Sequence, residues 1–371
     1  MNDPATVIDP TPGNMHTCVQ KVATGPEYSK DLSFAQARAA MDLILRGEAD
    51  PVQAAIFLIA LRMKRETDDE NRGVLQAILD RRELVEAPVD EIMDVADPYN
   101  GQVRGLPAAP FLPPLLAACG VPAVSHGVEA VGPKYGITHH QVLAAAGIDV
   151  RRTSREVAEQ LAQDQLGWGY IDQSQSCPSL HNLIDLRDRI IKRTVITTVE
   201  VMSRPISGRK KTHLLTGYVH KAYPPVYADL ARFAGFDTAA IVKGVEGGVI
   251  PSLQQPSRYY RMVEGEDDQF VSVEPTALGI DQPKRAIPLP DDAKSIQDAS
   301  DSEKSRAVTS IAEQGVDALR NQPGAARDSL MYAAAIALLH LGRQSSLVEA
   351  ARQARDVLAS GEAYARFTAH Q

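Results

Sequence analysis

The spacing of apolar residues predicts three consecutive helices near the start of the chain, within residues 29–90. In each segment the apolar side chains recur at the interval that lines one face of a helix. Ser33 could cap the first helix, Pro51 suits the first position of the second, and residues 67–70 supply an acidic first turn for the third. We therefore expect a small helical domain over residues 29–90, completed by helices within about residues 178–200.

After residue 90, short apolar runs alternate with helical stretches. The runs cover residues 92–96, 112–118, 121–124, 142–148, 239–242 and 331–341. Short buried strands that alternate with helices are typical of an α/β layer built on a mostly parallel sheet. Closing helices are expected at residues 307–320, 327–341 and 347–360. The pattern predicts an α/β domain over residues 91–371, with a mostly parallel central sheet flanked by helices.

Composition narrows the class of protein. Residues 1–28 lack the order of basic and then apolar residues that marks a signal peptide, so we expect a loose leader. No apolar run approaches the roughly 20 residues of a spanning helix, so we expect no membrane contact. The three cysteines are too scattered for a disulfide framework or a Cys-based zinc site, which favours a cytoplasmic location. A net charge of −8 disfavours attraction of the whole molecule to nucleic acid, although a local basic patch could override it.

Five stretches, in order between residues 29 and 367, resemble the anthranilate phosphoribosyltransferase family. The resemblance implies the two-domain fold just described, a homodimer, and a cleft that binds phosphoribosyl pyrophosphate with magnesium. One such stretch alone would be weak evidence for the family, whereas five in order at family-like spacing are specific evidence. The stretches are residues 47–67, residues 118–136 with His126, Gly127, Lys134 and Gly136, residues 186–194 with Arg187 and Arg193, residues 242–247, and residues 324–335.

Most residues that the resemblance assigns to pyrophosphate are replaced. The family's glycine-rich turn is matched by residues 96–102, where Pro98 has no N–H and only Gly101 supplies a bare backbone. The family's hydroxyl-bearing helix start is matched by residues 107–110, which offer no hydroxyl. Glu129 stands where the family has an arginine, and its carboxylate would repel phosphate.

The family's magnesium-binding carboxylates are also replaced. Val249 and Ile250 stand at their positions, and aliphatic side chains cannot coordinate a hard cation. Asp97 and Glu246 are nearby carboxylates that could compensate. The adjacent residues 139–140, both histidines, would point about 100° apart on a helix and could not hold a metal together. We expect no metal, no cofactor, and no genuine anthranilate phosphoribosyltransferase activity.

Several family residues remain and could still bind a small phosphorylated ligand. By the resemblance these are Gly101, His126, Gly127, Lys134 and Arg187. Arg187 matches the family's arginine for the anthranilate carboxylate. Its alternative role is an ion pair with a neighbouring carboxylate, either Asp185 or Asp188, because arginines on helices are often paired. On this reading the protein would be a transferase or phosphorylase that acts on a different phosphorylated sugar or acceptor.

A second reading rests on a local reversal of charge between residues 187 and 211. This sequence resembles family paralogues with a degenerate catalytic site, which are dimers that bind nucleic acid without sequence preference through a basic groove. The matching features include the turn at residues 98–101 and the stretch at residues 126–128. The alternative is a solvated positive helix face. The residues predicted to contact nucleic acid are Arg189, Lys192, Arg193, Arg204, Arg209, Lys210 and Lys211.

Overall fold

The computed structural model describes residues 14–25, 27–290 and 293–371, and the statements below concern those residues. The helices are α1 Met15–Val22, α2 Phe34–Leu45, α3 Pro51–Lys64, α4 Asp68–Leu79, α5 Leu112–Ala118, α6 His139–Ala145, α7 Ser154–Leu161, α8 Gln173–Ser176, α9 Pro178–His181, α10 Ile184–Ile190, α11 Ile196–Val199, α12 Tyr223–Ala234, α13 Asp301–Leu319, α14 Ala325–His340, α15 Leu347–Ser360 and α16 Glu362–Thr368. The strands are β1 Val85–Glu86, β2 Glu91–Ala96, β3 Ala123–Gly127, β4 Trp168–Asp172, β5 Ile206–Ser207, β6 Lys211–Gly217, β7 Thr238–Val242, β8 Ser257–Val263 and β9 Gln269–Val273.

The three helices predicted near the start of the chain form as α2, α3 and α4. Ser33 caps α2 and exchanges hydrogen bonds with Gln36, and Thr67 does the same with Glu70 at α4. Asp50 caps α3 by accepting hydrogen bonds from the first backbone N–H groups of that helix. These local signals fix the starts of the helices, and α10 and α11 then pack against α3 and α4.

The expectation of a loose leader over residues 1–28 is wrong for α1. This helix packs against α3 and buries Met15, Cys18 and Val22, which follow one another at helical spacing. Asn14 caps it by accepting the N–H of His16. The segment is short, so its apolar face gave a weaker signal than the longer helices. Of the rest of the proposed leader, the structure describes residues 14, 23–25, 27 and 28.

A seven-stranded sheet forms the centre of the second domain, in the order β4-β3-β2-β6-β7-β8-β9. Neighbours from β4 to β7 are parallel, and β8 and β9 are antiparallel additions at one edge. The prediction of a mostly parallel sheet flanked by helices is therefore confirmed. The apolar runs at residues 92–96, 121–124 and 239–242 fall on β2, β3 and β7, whereas residues 112–118, 142–148 and 331–341 fall on helices.

The direction of the parallel strands brings several loops to one edge of the sheet. Residues on β2 and β6 pair in register from Glu91 and Lys211 at the amino ends to Ala96 and Thr216 at the carboxyl ends. The segments that follow β2, β6 and β7 consequently meet at the carboxyl edge, where α/β folds usually bind their ligands. In the described part of the chain, no helix has the length and apolar character needed to cross a membrane.

Candidate functional site

A cleft of about 340 Å³ lies at the carboxyl edge of the sheet, next to the helical domain. Arg62 at the end of α3 forms one wall, and Arg193 comes from the segment between α10 and α11. Thr197 and Thr198 of α11 and the segments after β2, β3, β6 and β7 supply the remaining walls. These segments include Lys134, Tyr223 and Glu246. The cleft is thus lined by cations and aromatic rings with one central carboxylate.

That carboxylate is bound by groups suited to hold an anion. Glu246 accepts hydrogen bonds from the backbone N–H of Val103, at 3.2 Å from each carboxylate oxygen, and from the N–H of Arg104 at 2.6 Å. The Lys134 ammonium lies 3.4 Å from Glu246 Oε2 and donates to the Gly101 carbonyl oxygen, also at 3.4 Å. Burial lowers the pKa of Lys134, although the charge of Glu246 opposes the shift. Lys134 therefore lies in the cleft and is already paired with Glu246, and its contact with a phosphorylated ligand stays a prediction.

The carboxylate Asp97 is engaged elsewhere. Its Oδ1 accepts the backbone N–H of Val249 at 2.8 Å, and its Oδ2 lies 3.1 Å from Nε2 of His139. The Val249 side chain is fully buried in the hydrophobic core. Among the described residues, no group of three or more His, Cys, Asp or Glu side chains could hold a metal ion. Asp97, considered from the sequence as a compensating metal ligand, is bonded to Val249 and His139 instead.

His126 and Gly127 lie in the interior and do not line the cleft. Nε2 of His126 lies 2.9 Å from Asp94 Oδ1, and Nδ1 contacts the Tyr99 hydroxyl. Tyr99 lies in turn 3.4 Å from the Ser203 hydroxyl, and burial raises its pKa well above the usual value. This hydrogen-bonded chain joins the sheet to the segment before β5. All four side chains are buried.

Gly101 is required by backbone packing. Its φ of 70° is in the left-handed region, and a Cβ there would lie 2.6 Å from the backbone of Gly136 and Ile137. Gln102 pairs with Ile137 in an isolated bridge, which holds the loop after β3 against the turn after β2. Gly101, whose bare backbone suggested a contact with phosphate, is therefore needed for the close approach of these two loops.

Arg187 forms a buried ion pair with Glu200. Its two terminal nitrogens lie 2.7 and 2.8 Å from the two carboxylate oxygens. The alternative pairing of Arg187 with Asp185 or Asp188 is wrong, because residues one or two positions apart on a helix point in different directions. Asp185 lies 3.6 Å from Arg189 instead, and Asp188 accepts the Tyr135 hydroxyl. With both ends of its guanidinium bound to Glu200, Arg187 is not presented to the cleft.

The seven basic residues predicted to contact nucleic acid do not share one groove. Arg193 lines the cleft, and Arg189 and Lys192 are exposed near it in the chain. Arg204 donates to the carbonyl oxygen of Gly235, and burial lowers its pKa. The other three lie near the amino end of β6, at the opposite edge of the sheet. The length of one extended strand, about 20 Å, separates the two edges. These three residues are Arg209, Lys210, which pairs with Asp90, and Lys211.

Two more basic residues, Arg104 and Lys221, adjoin residues of the cleft and were missed from the sequence. Arg104, Lys192, Arg193 and Lys221 are exposed, and within the described ranges none of them has an ion pair. Arg62 is held in the cleft wall, where its Nη1 donates to the Tyr223 hydroxyl at 2.7 Å. Arg104 and Lys221 follow the parallel strands β2 and β6. Because such strands end at the same edge of a sheet, the sequence could have placed these two residues near each other. We call Arg104, Lys192, Arg193 and Lys221 the basic mouth.

Two family models match this chain. One, described as "Glycosyl transferase family, helical bundle domain", matches residues 17–82. The other, described as "Glycosyl transferase family, a/b domain", matches residues 110–364. The matches follow the division between the helical domain and the sheet domain, and the first includes most of α1.

Relatives of known activity span nearly the whole chain. The anthranilate phosphoribosyltransferase of Sphingopyxis alaskensis is 29% identical over 351 residues, which cover 92% of this chain and 95% of that enzyme. The structure of the anthranilate phosphoribosyltransferase of Saccharomyces cerevisiae in complex with PRPP and Mg gives a TM-score of 0.76 at 17% identity, covering 96% of both chains. The enzyme of Thermus thermophilus gives 0.68 at 20% identity, covering 96% of this chain and 97% of that one. At these identities the solved structures show a shared fold.

Proposed function

Because this chain belongs to the anthranilate phosphoribosyltransferase family within glycosyltransferase family 3, we propose that it keeps the family fold but not the family reaction. In this proposal the phosphoribosyl pyrophosphate and magnesium site is degenerate. The protein instead binds nucleic acid without sequence preference at the mouth of the cleft. It has no resident metal or cofactor and acts as a homodimer.

The loss of the family reaction is supported by the chemistry of the cleft. Val249 and Ile250 replace the metal-binding carboxylates, and Pro98 cannot donate a backbone hydrogen bond. The amides of Val103 and Arg104, which could bind an anion, are bonded to Glu246. A departing pyrophosphate would therefore find no metal-binding carboxylates, and the amides of these two residues would not be free to bind it. Consumption of anthranilate in the presence of phosphoribosyl pyrophosphate and magnesium would contradict this part of the proposal.

The basic mouth is the observation that carries nucleic-acid binding. Four exposed cations without ion pairs within the described ranges cluster at one edge of a protein whose net charge is −8. Lysines and arginines bind phosphates with release of counterions, so each contact steepens the dependence of affinity on salt by about 0.9 on duplex DNA. Four contacts would give a log–log slope of about −3.6. The rings of Tyr223 and Tyr227, 5.6 Å apart in the cleft wall, could stack on bases.

The homodimer is supported by an apolar stripe on α3. Val52, Ile56 and Met63 lie on this helix and are 64%, 38% and 76% exposed. Apolar side chains at such spacing form one face, and an exposed apolar face marks a contact surface. A second copy that covered this stripe would place two basic mouths in one particle. Two linked sites bind a long polyanion more tightly than either site alone.

Anisotropy of labelled single- and double-stranded oligonucleotides, titrated at several salt concentrations, tests nucleic-acid binding. The variant Lys192→Glu/Arg193→Glu should bind at least tenfold more weakly, and its salt slope on duplex should be about 2 smaller. The variant Arg209→Glu/Lys211→Glu carries the same change of charge at the opposite edge of the sheet and is the matched control. Equal losses in both variants would show a general charge effect and would contradict binding at the mouth.

The lining of the cleft supports a second candidate function, that of a transferase or phosphorylase for a different phosphorylated sugar or acceptor. Arg62, Lys134 and Arg193 would offer positive charge to a phosphate, and Tyr223 would offer a ring to the acceptor. Thermal unfolding in the presence of saturating sugar phosphates tests this candidate, since a ligand that binds only the folded protein raises its Tm. The absence of any rise would count against it.

A further inference from the structure

A groove of about 560 Å³ lies between α6 and α13 and is separate from the cleft at the carboxyl edge of the sheet. In the described part of the chain, the two cavities share no lining residue. A volume of this size accommodates a small organic molecule. The apolar side chains that line the groove are Ile137, Ala144, Ala145, Val150, Ile296 and Val308.

The adjacent histidines at the start of α6 face in different directions, because consecutive positions on a helix do not share a face. His139 lies 3.1 Å from Asp97, which follows β2, and does not line the groove. His140 lines the groove, and its Nδ1 lies 2.9 Å from Oδ2 of Asp172 at the end of β4. Only the second histidine is therefore available to a molecule in the groove.

His140 has one ring nitrogen to offer to a ligand. Its side chain is 9% exposed and that of Asp172 is 6% exposed, so the pair is almost completely shielded from bulk water. Burial alone would raise the pKa of Asp172, but contacts with His140 and Ser174 outweigh burial and lower it. The Asp172 carboxylate therefore keeps a proton on Nδ1 of His140. Nε2 has no hydrogen-bond partner among the described residues, so its lone pair can accept a hydrogen bond from a ligand.

The groove also carries positive charge that no carboxylate neutralises. Arg151 and Lys304 line it, and within the described residues neither of them has an ion pair. Among the described residues that line the groove, Glu129 is the only carboxylate. Two cations against one carboxylate favour an anionic ligand over a neutral or cationic one.

We propose that this groove binds a small carboxylate that has an apolar body and a hydroxyl group. In this proposal the carboxylate lies at Arg151 and Lys304, the body packs against Val150 and Val308, and the hydroxyl donates to Nε2 of His140. The groove lies outside the cleft and the basic mouth. The site can therefore be present whether or not the protein binds nucleic acid.

Nitrogen NMR of protein labelled at its histidine side chains tests the site, with ω-hydroxyhexanoate and para-hydroxybenzoate as probes. The variants His140→Gln and His139→Gln assign the two signals. At least one probe should shift the His140 signal saturably and leave the His139 signal in place. Hexanol and phenol, which lack the carboxylate, should bind roughly tenfold more weakly than the matching probe. Absence of a shift at His140 with both probes, or equal shifts of both histidines, would overturn the proposal.

Charge variants distinguish the groove from the general field of the protein. Arg151→Ala/Lys304→Ala should weaken binding of the better probe roughly tenfold. Arg155→Ala/Arg320→Ala removes the same charge from exposed positions outside the groove and is the matched control. Ala144→Trp should abolish binding, because the larger side chain fills the groove while every charge stays in place. Equal losses in the two charge variants, or unchanged binding in Ala144→Trp, would contradict binding in the groove.

Discussion

Removing either partner of the buried Arg187–Glu200 ion pair should strongly destabilise the protein. Both side chains are nearly inaccessible to water, at 3% and 2% exposed, and two hydrogen bonds of 2.7 and 2.8 Å join them. Arg187→Met leaves the Glu200 carboxylate buried without its cation. Loss of one member of a buried pair costs about 3–5 kcal/mol of the free energy of unfolding. Glu200→Gln should cost a similar amount, because it leaves the guanidinium without a counter-charge.

The double variant Arg187→Met/Glu200→Met tests whether the loss of stability comes from the unpaired buried charge. With both charges gone, no buried charge remains unpaired, so the double variant should lose much less stability than either single variant. Urea unfolding followed by far-ultraviolet circular dichroism measures all three variants. A cost below about 1 kcal/mol for Arg187→Met, or a double variant as unstable as the sum of the singles, would refute the buried-pair reasoning.

Three further predictions follow from other parts of the structure. Gly217→Ala should cost about 3 kcal/mol or more in urea unfolding, because its Cβ would overlap the carbonyl oxygen of Gly248; a cost under about 1 kcal/mol would show that the turn yields easily. Ile56→Glu/Met63→Glu should shift the molar mass in light scattering from dimer to monomer, and an unchanged mass would exclude the α3 stripe as the interface. Burial lowers the pKa of His213 to about 4, so the unfolded chain takes up this proton first as the pH falls from about 6.5. The free energy of unfolding should therefore decrease by up to about 2 kcal/mol per such histidine between pH 6.5 and pH 5. Urea unfolding measured across that range should show a weaker pH dependence for His213→Gln than for the wild type.

Local features of the fold were predictable because their causes lie within a few residues. The capping residues Ser33 and Thr67 bond to groups three positions along the chain, so the sequence shows both partners together. The short apolar runs that became β2, β3 and β7 could be recognised in the same way. Runs such as residues 112–118 were ambiguous, because a fully buried helix and a fully buried strand are both continuously apolar.

The candidate site was less predictable because its contacts join distant parts of the chain. Arg187 was predicted to contact a ligand, with an ion pair in its own helix as the alternative, but its partner Glu200 lies thirteen residues away, in the short turn that follows α11. Glu246 was considered as a metal ligand, yet it bonds to amides more than 140 residues earlier in the chain. Neither contact has a sequence signature: Arg187 could pair with any carboxylate that the fold brings near it, and the backbone amides that bind Glu246 are present at every residue except proline.

The basic residues between positions 187 and 211 show most directly what the sequence alone could not determine. The sequence determined how many cations stand between residues 187 and 211, but the strand that begins at Lys211 was not among the predicted apolar runs. Only the tertiary structure decided that Arg193 lies at the carboxyl edge of the sheet and Lys211 at the amino edge. The physical reason is the direction of the chain: side chains close in sequence separate when the backbone crosses the sheet between them, whereas parallel strands bring loops from distant positions to one edge.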